Sequence, residues 1–263
     1  MTGRFHSSRP TPIADHAGAP LLQRAGGFAR ITLNRPEEHN RLDPADVDAL
    51  AALLRTMHEE PPRALVITGS GERSFCSGYT LQAIVDELDH RFEHMLDALE
   101  TLPCVTIAAL NGGLYGGATD LALCCDLRIG VPGMRMFMPA ARFGLHYYPG
   151  GLRRYVVRLG LPAASKLMLT AMTVETEEML RMGFLGEVVP REALAQRVDA
   201  CLDGIEATEP KVVAQMKRHM IALAQRQADE PEAVALQASM AQASADSLRS
   251  PELRARLQRL LGS

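Results

Sequence analysis

The chain has 263 residues, of which 47% are hydrophobic and 22% charged, and its formal net charge is −3. These are ordinary globular proportions, which exclude a disordered tail, a fibrous repeat and a disulfide-stapled mini-protein, and no overall basic field favours nucleic acid or anionic lipid. The longest strongly apolar stretch, residues 104–110, is far too short to span a bilayer, which takes about 20 residues. The N-terminus has none of the apolar core that a secretory signal carries. Five cysteines, at 76, 104, 124, 125 and 201, are odd in number and lack metal-ligand spacing, which supports neither a disulfide framework nor a zinc site. The expectation is a reduced, cytoplasmic compartment with no metal, no membrane and no nucleic-acid partner.

Residues 1–20 carry three prolines and two glycines, which predicts a flexible arm. Leu21 to Arg24 and Phe28 to Leu33 flank Gly26-Gly27, a hairpin signal. Asp43-Pro44 sets an N-cap carboxylate before a proline at the first helical position, and Val47, Leu50, Ala51, Leu54 and Met57 recur on one helical face. Pro61-Pro62 stops that helix. Ala64 to Thr68 predicts a buried strand, followed by the loop Gly69-Ser70-Gly71. Leu81, Ile84, Val85, Leu88, Phe92, Met95, Leu96 and Leu99 predict a second helix, which Pro103 breaks before another buried strand over 104–110. A glycine cluster from Asn111 to Gly117 leads into a short helix reaching Cys125, and residues 126–129 resume a strand. Alternating strands and helices predict an α/β core whose crossovers cover the sheet. From Gly151 onward helical patterns dominate, with 186–189 the one strand remnant, and the last third suits packing or oligomerisation.

The glycine cluster before Asp120 is the most informative local feature. Between a buried strand and a helix, glycines let the backbone approach a ligand and aim N–H groups and the positive helix end at one point, a device for holding negative charge that develops on an oxygen. A tight strand-to-helix turn with no ligand is the plainer alternative. Asp120, in the first turn, is either a dipole partner worth about 0.3–1 kcal/mol or an acid or base beside whatever the amides bind. The loop 69–78 lacks the third glycine of a dinucleotide fingerprint. Cys76 is a nucleophile only if a histidine partners it, and is otherwise a small buried hydrophobe. His146, Tyr147 and Tyr148 form either a surface aromatic cluster or a polar tip in a pocket. Cys124 and Cys125 read as core.

Together these pieces resemble the crotonase (enoyl-CoA hydratase/isomerase) superfamily. Ile31 to Pro36 with Asn40 is similar to its opening strand and turn, Ser74 to Leu81 to its first oxyanion loop, and Asn111 to Ala122 with Cys125-Asp126 to its second. Met138-Pro139 to Gly144, Pro149-Gly150-Gly151 and Gly183 to Val189 follow in the family's order, over about residues 21–262. The resemblance implies a spiral of β-β-α units (21–200) with a C-terminal helical trimerisation region (201–263), assembled as a homotrimer or a hexamer of two trimers. It implies an acyl-CoA thioester substrate, as in fatty acid metabolism, and no cofactor beyond the coenzyme A that the substrate carries. The thioester carbonyl would accept hydrogen bonds from the N–H groups of Tyr79 and Gly117. Cys76, Ser77, Gly78, Thr80, Leu81, Gly116, Ala140 and His146 would contact substrate, and Arg35 and Arg73 are candidates for its phosphates.

The departures from the family pattern shape the chemistry. The position of the first hydratase glutamate carries Asp120, the second falls at Ala140, and the first loop's usual aspartate is Thr80. Tyr147 matches a tyrosine of methylmalonyl-CoA decarboxylase-type members. Asp120 and Tyr147 are therefore the expected catalytic pair, suited to isomerisation or decarboxylation through an enolate better than to hydration. The alternative is a non-catalytic acyl-CoA binder that lost its second glutamate; an RNA-binding role is disfavoured by the charge balance and the lack of a lysine-rich helix.

Overall fold

The computed structural model describes residues 4–80, 83, 90–225 and 231–261. Eleven strands are named here in chain order: β1 (Thr11–Pro12), β2 (Leu21–Ala25), β3 (Phe28–Leu33), β4 (Ala64–Gly69), β5 (Ser74–Cys76), β6 (Val105–Ala109), β7 (Gly113–Tyr115), β8 (Leu127–Gly130), β9 (Arg135–Phe137), β10 (Val174–Glu175) and β11 (Glu187–Val188). They form two sheets, one in the order β1-β2-β3-β4-β6-β8-β11 and one in the order β10-β9-β7-β5. In the larger sheet β1, β2 and β3 pair antiparallel, and every pairing from β3 to β11 is parallel. The fold is the mixed α/β arrangement of crotonase-type proteins.

The central strands of the larger sheet are buried on both faces. Ala64, Leu65, Val66 and Ile67 of β4, and Thr106, Ile107, Ala108 and Ala109 of β6, are all buried, as continuous apolar runs in a covered parallel sheet require. The helix Pro44–Glu59 begins as its sequence predicts, with Pro44 at the first position and the Asp46 carboxylate accepting the Asp43 N–H at 2.8 Å. Its apolar face (Val47, Leu50, Leu54, Met57) packs in one core with Phe92, Met95, Leu96 and Leu99 of the helix Arg91–Glu100. Helix Pro149–Thr170 is interrupted at Gly160, whose φ is 75°. Helices Leu194–Glu206, Pro210–Gln225, Pro231–Arg249 and Pro251–Leu261 complete the chain.

One expectation changes, one sheet is new, and part of one predicted helix lies outside the described residues. Residues 4–20 are not a loose arm: Phe5 is buried with the Arg30 guanidinium 4.2 Å from its ring centroid, β1 pairs with β2, and Arg4 bridges to Glu206 at 2.8 Å. A large apolar ring outweighs the prolines around it. The smaller sheet, of strands two or three residues long, was not predicted at all. Leu81, Ile84, Val85 and Leu88 lie outside the described residues.

Candidate active site

Two asparagines fix the first loop to the larger sheet. Asn40 donates to the carbonyls of Ser70 and Ser74, both at 2.9 Å, and its oxygen accepts from Arg35 N–H at 3.0 Å and Ser70 Oγ at 2.9 Å. Asn111 accepts the Gly69 N–H at 3.0 Å and donates to the Gly71 carbonyl at 2.8 Å. Beyond them, Leu42 N–H donates to the Gly78 carbonyl at 2.8 Å and Thr80 N–H donates to the Leu42 carbonyl at 3.0 Å. Alternation along an extended segment then turns the Tyr79 N–H away from Leu42. The second loop runs from β7 into the helix Gly117–Cys124, where Gly117 is the first helical residue and its N–H has no intrahelical acceptor. The two loops meet at glycine. A Cβ on Gly78 would lie 2.7 Å from the Tyr115 carbonyl oxygen and 2.9 Å from the Gly117 nitrogen, and Gly78 has φ +90°. A Cβ on Gly117 would lie 2.7 Å from Phe92 Cζ. Only glycine allows either approach.

Both loops open on a cavity of about 480 Å³. Tyr79, Gly116 and Gly117 form one side, and Tyr79 stacks on Phe92 with centroids 5.3 Å apart. Phe137, Met138 and Ala140 form an apolar floor, and His146, Tyr147 and Tyr148 line the same void. Ser244 and Leu248 of the helix Pro231–Arg249 also line it, and the His146 N–H donates to Ser247 Oγ of that helix at 2.8 Å.

Behind the tyrosines lies a charge network with a buried centre. Asp120 Oδ1 accepts from Arg154 Nε at 2.8 Å, and Oδ2 accepts from Arg154 Nη2 and Tyr147 Oη, each at 3.1 Å, and from Tyr148 Oη. Arg154 also pairs with Asp97 at 2.7 Å and Glu100 at 3.1 Å, and Glu100 accepts from Arg153. Asp120 and Arg154 have no exposed surface. Burial opposes the charge on Arg154, but Asp120 holds its pKa above the ordinary value. Burial also disfavours ionised Glu100, yet the guanidinium groups of Arg154, Arg153 and Arg158 bring its pKa below the usual carboxylate value. Burial first, then the Asp120 charge, push the Tyr147 and Tyr148 hydroxyls well above theirs, so both stay protonated.

Residues 23–252 match the family model described as enoyl-CoA hydratase/isomerase. The chain belongs to the enoyl-CoA hydratase/isomerase family of the crotonase superfamily. It is 31% identical over 207 residues to the enoyl-CoA hydratase AKT6-1 of Alternaria alternata, covering 76% of this chain and 68% of that protein. It is 29% identical over 204 residues to the (E)-benzylidenesuccinyl-CoA hydratase of Thauera aromatica, covering 75% and 80%. The crystal structure of a methylmalonyl-CoA decarboxylase shares the fold, with a TM-score of 0.82 over 92% of this chain and 94% of that one at 18% identity.

In this family member, Tyr79, Gly117, Gly116, Ser77, Ala140, His146 and Tyr147 line one cavity. Several other assignments are corrected. Cys76 is wholly buried and its Sγ accepts the Gly78 N–H at 3.2 Å; burial raises its thiol to about 12, so it supports the loop from behind and does not touch the void. Gly78 packs against Gly117 and Tyr115, and Thr80 bonds Leu42; neither lines the cavity. Asp120 does not line it either, because Tyr147 and Tyr148 stand between. Arg35 is engaged by Asp46 and by Asp43 at 3.6 Å, which leaves it committed to the fold, while Arg73 is exposed. Leu81 lies outside the described residues. The sequence reading missed Arg154, His90 and Glu93. For the last two the available signal was a His-x-x-Glu turn one helix before the second loop. Among the described residues no group of three His, Cys, Asp or Glu is placed to hold a metal, and no helix is long and apolar enough to cross a membrane.

Proposed function

We propose that the protein acts on an acyl-CoA thioester through an enolate, and that its reaction is isomerisation or decarboxylation of the acyl group. The N–H groups of Tyr79 and Gly117 hold the thioester oxygen, where an enolate concentrates its charge; one such donor is worth roughly 3–4 kcal/mol at comparable sites. The apolar floor keeps water from competing with them.

One observation carries the choice of reaction: both oxygens of Asp120 are occupied, and Ala140 stands where a second acid would be. Adding water across a double bond needs one group to deprotonate water and another to protonate carbon. Asp120 is paired twice with Arg154, and Ala140 offers nothing. Asp120 instead acts as a positioning residue that fixes the Tyr147 and Tyr148 hydroxyls, each of which donates its one proton to Asp120 and keeps oxygen lone pairs that can accept from the acyl group. Incubating a library of CoA esters with the enzyme tests this by mass. Loss of 44 mass units or rearrangement at constant mass supports the reading, and efficient gain of 18 overturns the preference against hydration. Esters that bind and never change identify a non-catalytic binder.

Assembly follows from the helical region. Val212, Met216, Met220 and Leu223 are exposed at helical spacing on Pro210–Gln225, a stripe suited to a second copy in a homotrimer or hexamer. Sedimentation tests it: trimers or hexamers are expected, and a monomer at micromolar concentration contradicts it.

A further inference from the structure

The enolate reading leaves a proton to be moved and removes the two groups first expected to move it. Asp120 is sealed behind the tyrosines, and the hydroxyls of Tyr147 and Tyr148 are held protonated by burial and by Asp120. Among the described residues that line the cavity, Glu93 is the one carboxylate. It stands in the first turn of the helix Arg91–Glu100, is half-buried, and its Oε2 meets His90 Nδ1 at 3.0 Å. Its neighbour Phe92 ties this turn to both oxyanion positions, stacking on Tyr79 and touching the space a Gly117 side chain would fill. His146, the other candidate base, is committed to its own loop: its Nδ1 bonds the Tyr147 carbonyl at 2.9 Å and its backbone is tied to Ser247.

We propose that Glu93 is the proton carrier of this site and that His90 orients it. The Glu93 carboxylate takes the proton from the acyl α-carbon. That C–H bond breaks, an O–H bond forms, and the electron pair moves onto the thioester oxygen held by Tyr79 and Gly117. The O–H then returns its proton to the α-carbon, or to the γ-carbon when the acyl chain carries a β,γ double bond. No electron is gained or lost overall, and no co-reactant is required. General acid–base groups of this kind contribute roughly 10²–10⁴-fold.

The test uses the full chain with 3-hexenoyl-CoA in deuterated water, following deuterium uptake by mass spectrometry and affinity by calorimetry. Wild type should take up deuterium. Glu93→Gln should lose uptake by roughly 10²–10⁴-fold with affinity within about twofold, and Glu93→Asp should regain part of it. A circular-dichroism melt confirms that each variant is folded. Uptake that survives Glu93→Gln, or that is lost in His146→Gln instead, overturns the assignment and leaves the enolate reading standing. A wild-type protein that binds the thioester without uptake overturns both.

Discussion

Two walls of one cavity treat a carboxylate in opposite ways. Behind the wall formed by Tyr147 and Tyr148, Asp120 has no exposure, four hydrogen bonds and a buried guanidinium for company. On the wall built by Arg91–Glu100, Glu93 keeps some solvent and, among the described residues, one side-chain partner, His90. A charge sealed with its counter-charge is costly to change, so it fixes shape. A charge left at the edge of a void can take up a proton and release it. The contrast teaches that matching an acid to a family position does not locate the acid that is free to react; the partners of the carboxylate do.

Breaking the sealed wall should have the largest effect. Arg154→Ala leaves Asp120 and Glu100 buried without their shared cation, which should cost about 3–5 kcal/mol and lower the melting temperature by roughly 10 °C. Glu93→Gln, by contrast, should stay within about 0.5 kcal/mol of wild type. Equal losses in the two melts would erase the distinction between the walls. Gly117→Ala comes next: the added methyl meets Phe92 Cζ at 2.7 Å and displaces either the ring or the amide, so turnover should fall by roughly 10²–10³. Unchanged steady-state rates would remove Gly117 from the oxyanion site.

Smaller effects sharpen the picture. Tyr147→Phe removes one donor to Asp120 and keeps the ring, for about 0.5–1.5 kcal/mol in a urea titration. The pH dependence has a sign on each side. Glu100 is held below its ordinary value of 4.5, so its contribution is present above that pH and is lost as pH falls below it. Tyr147 and Tyr148 are raised above their ordinary 10, so theirs is present below pH 10 and fades as pH rises beyond. Urea titrations from pH 3 to 7 should show a shallower acid loss in Glu100→Gln than in wild type, and superimposable curves would deny Glu100 that role.

The larger sheet was legible because its strands are what buried parallel strands must be: β4 reads Ala-Leu-Val-Ile-Thr-Gly and β6 reads Val-Thr-Ile-Ala-Ala. The smaller sheet was not, since Ser74–Cys76, Gly113–Tyr115 and Arg135–Phe137 are too short for a period and two of them border glycine loops. The two loops that meet at Gly78 and Gly117 could be placed through their resemblance to the family's loops, and close backbone approach is why glycine stands at those points. Arg154 could not. It follows another arginine in a helix, where a surface site is the ordinary fate, and its burial depends on Asp97, Glu100 and Asp120 arriving from two other helices. Ser244 and Leu248 were hidden for a similar reason: the helix assigned to assembly also lines the cavity.

The account rests on two amides polarising one thioester oxygen. A CoA ester labelled with ¹³C at the thioester carbonyl reports this directly. The account predicts a carbonyl resonance shifted downfield on binding to the wild type, with the shift reduced in Gly117→Ala. A bound ester whose carbonyl resonates as it does in water would contradict it.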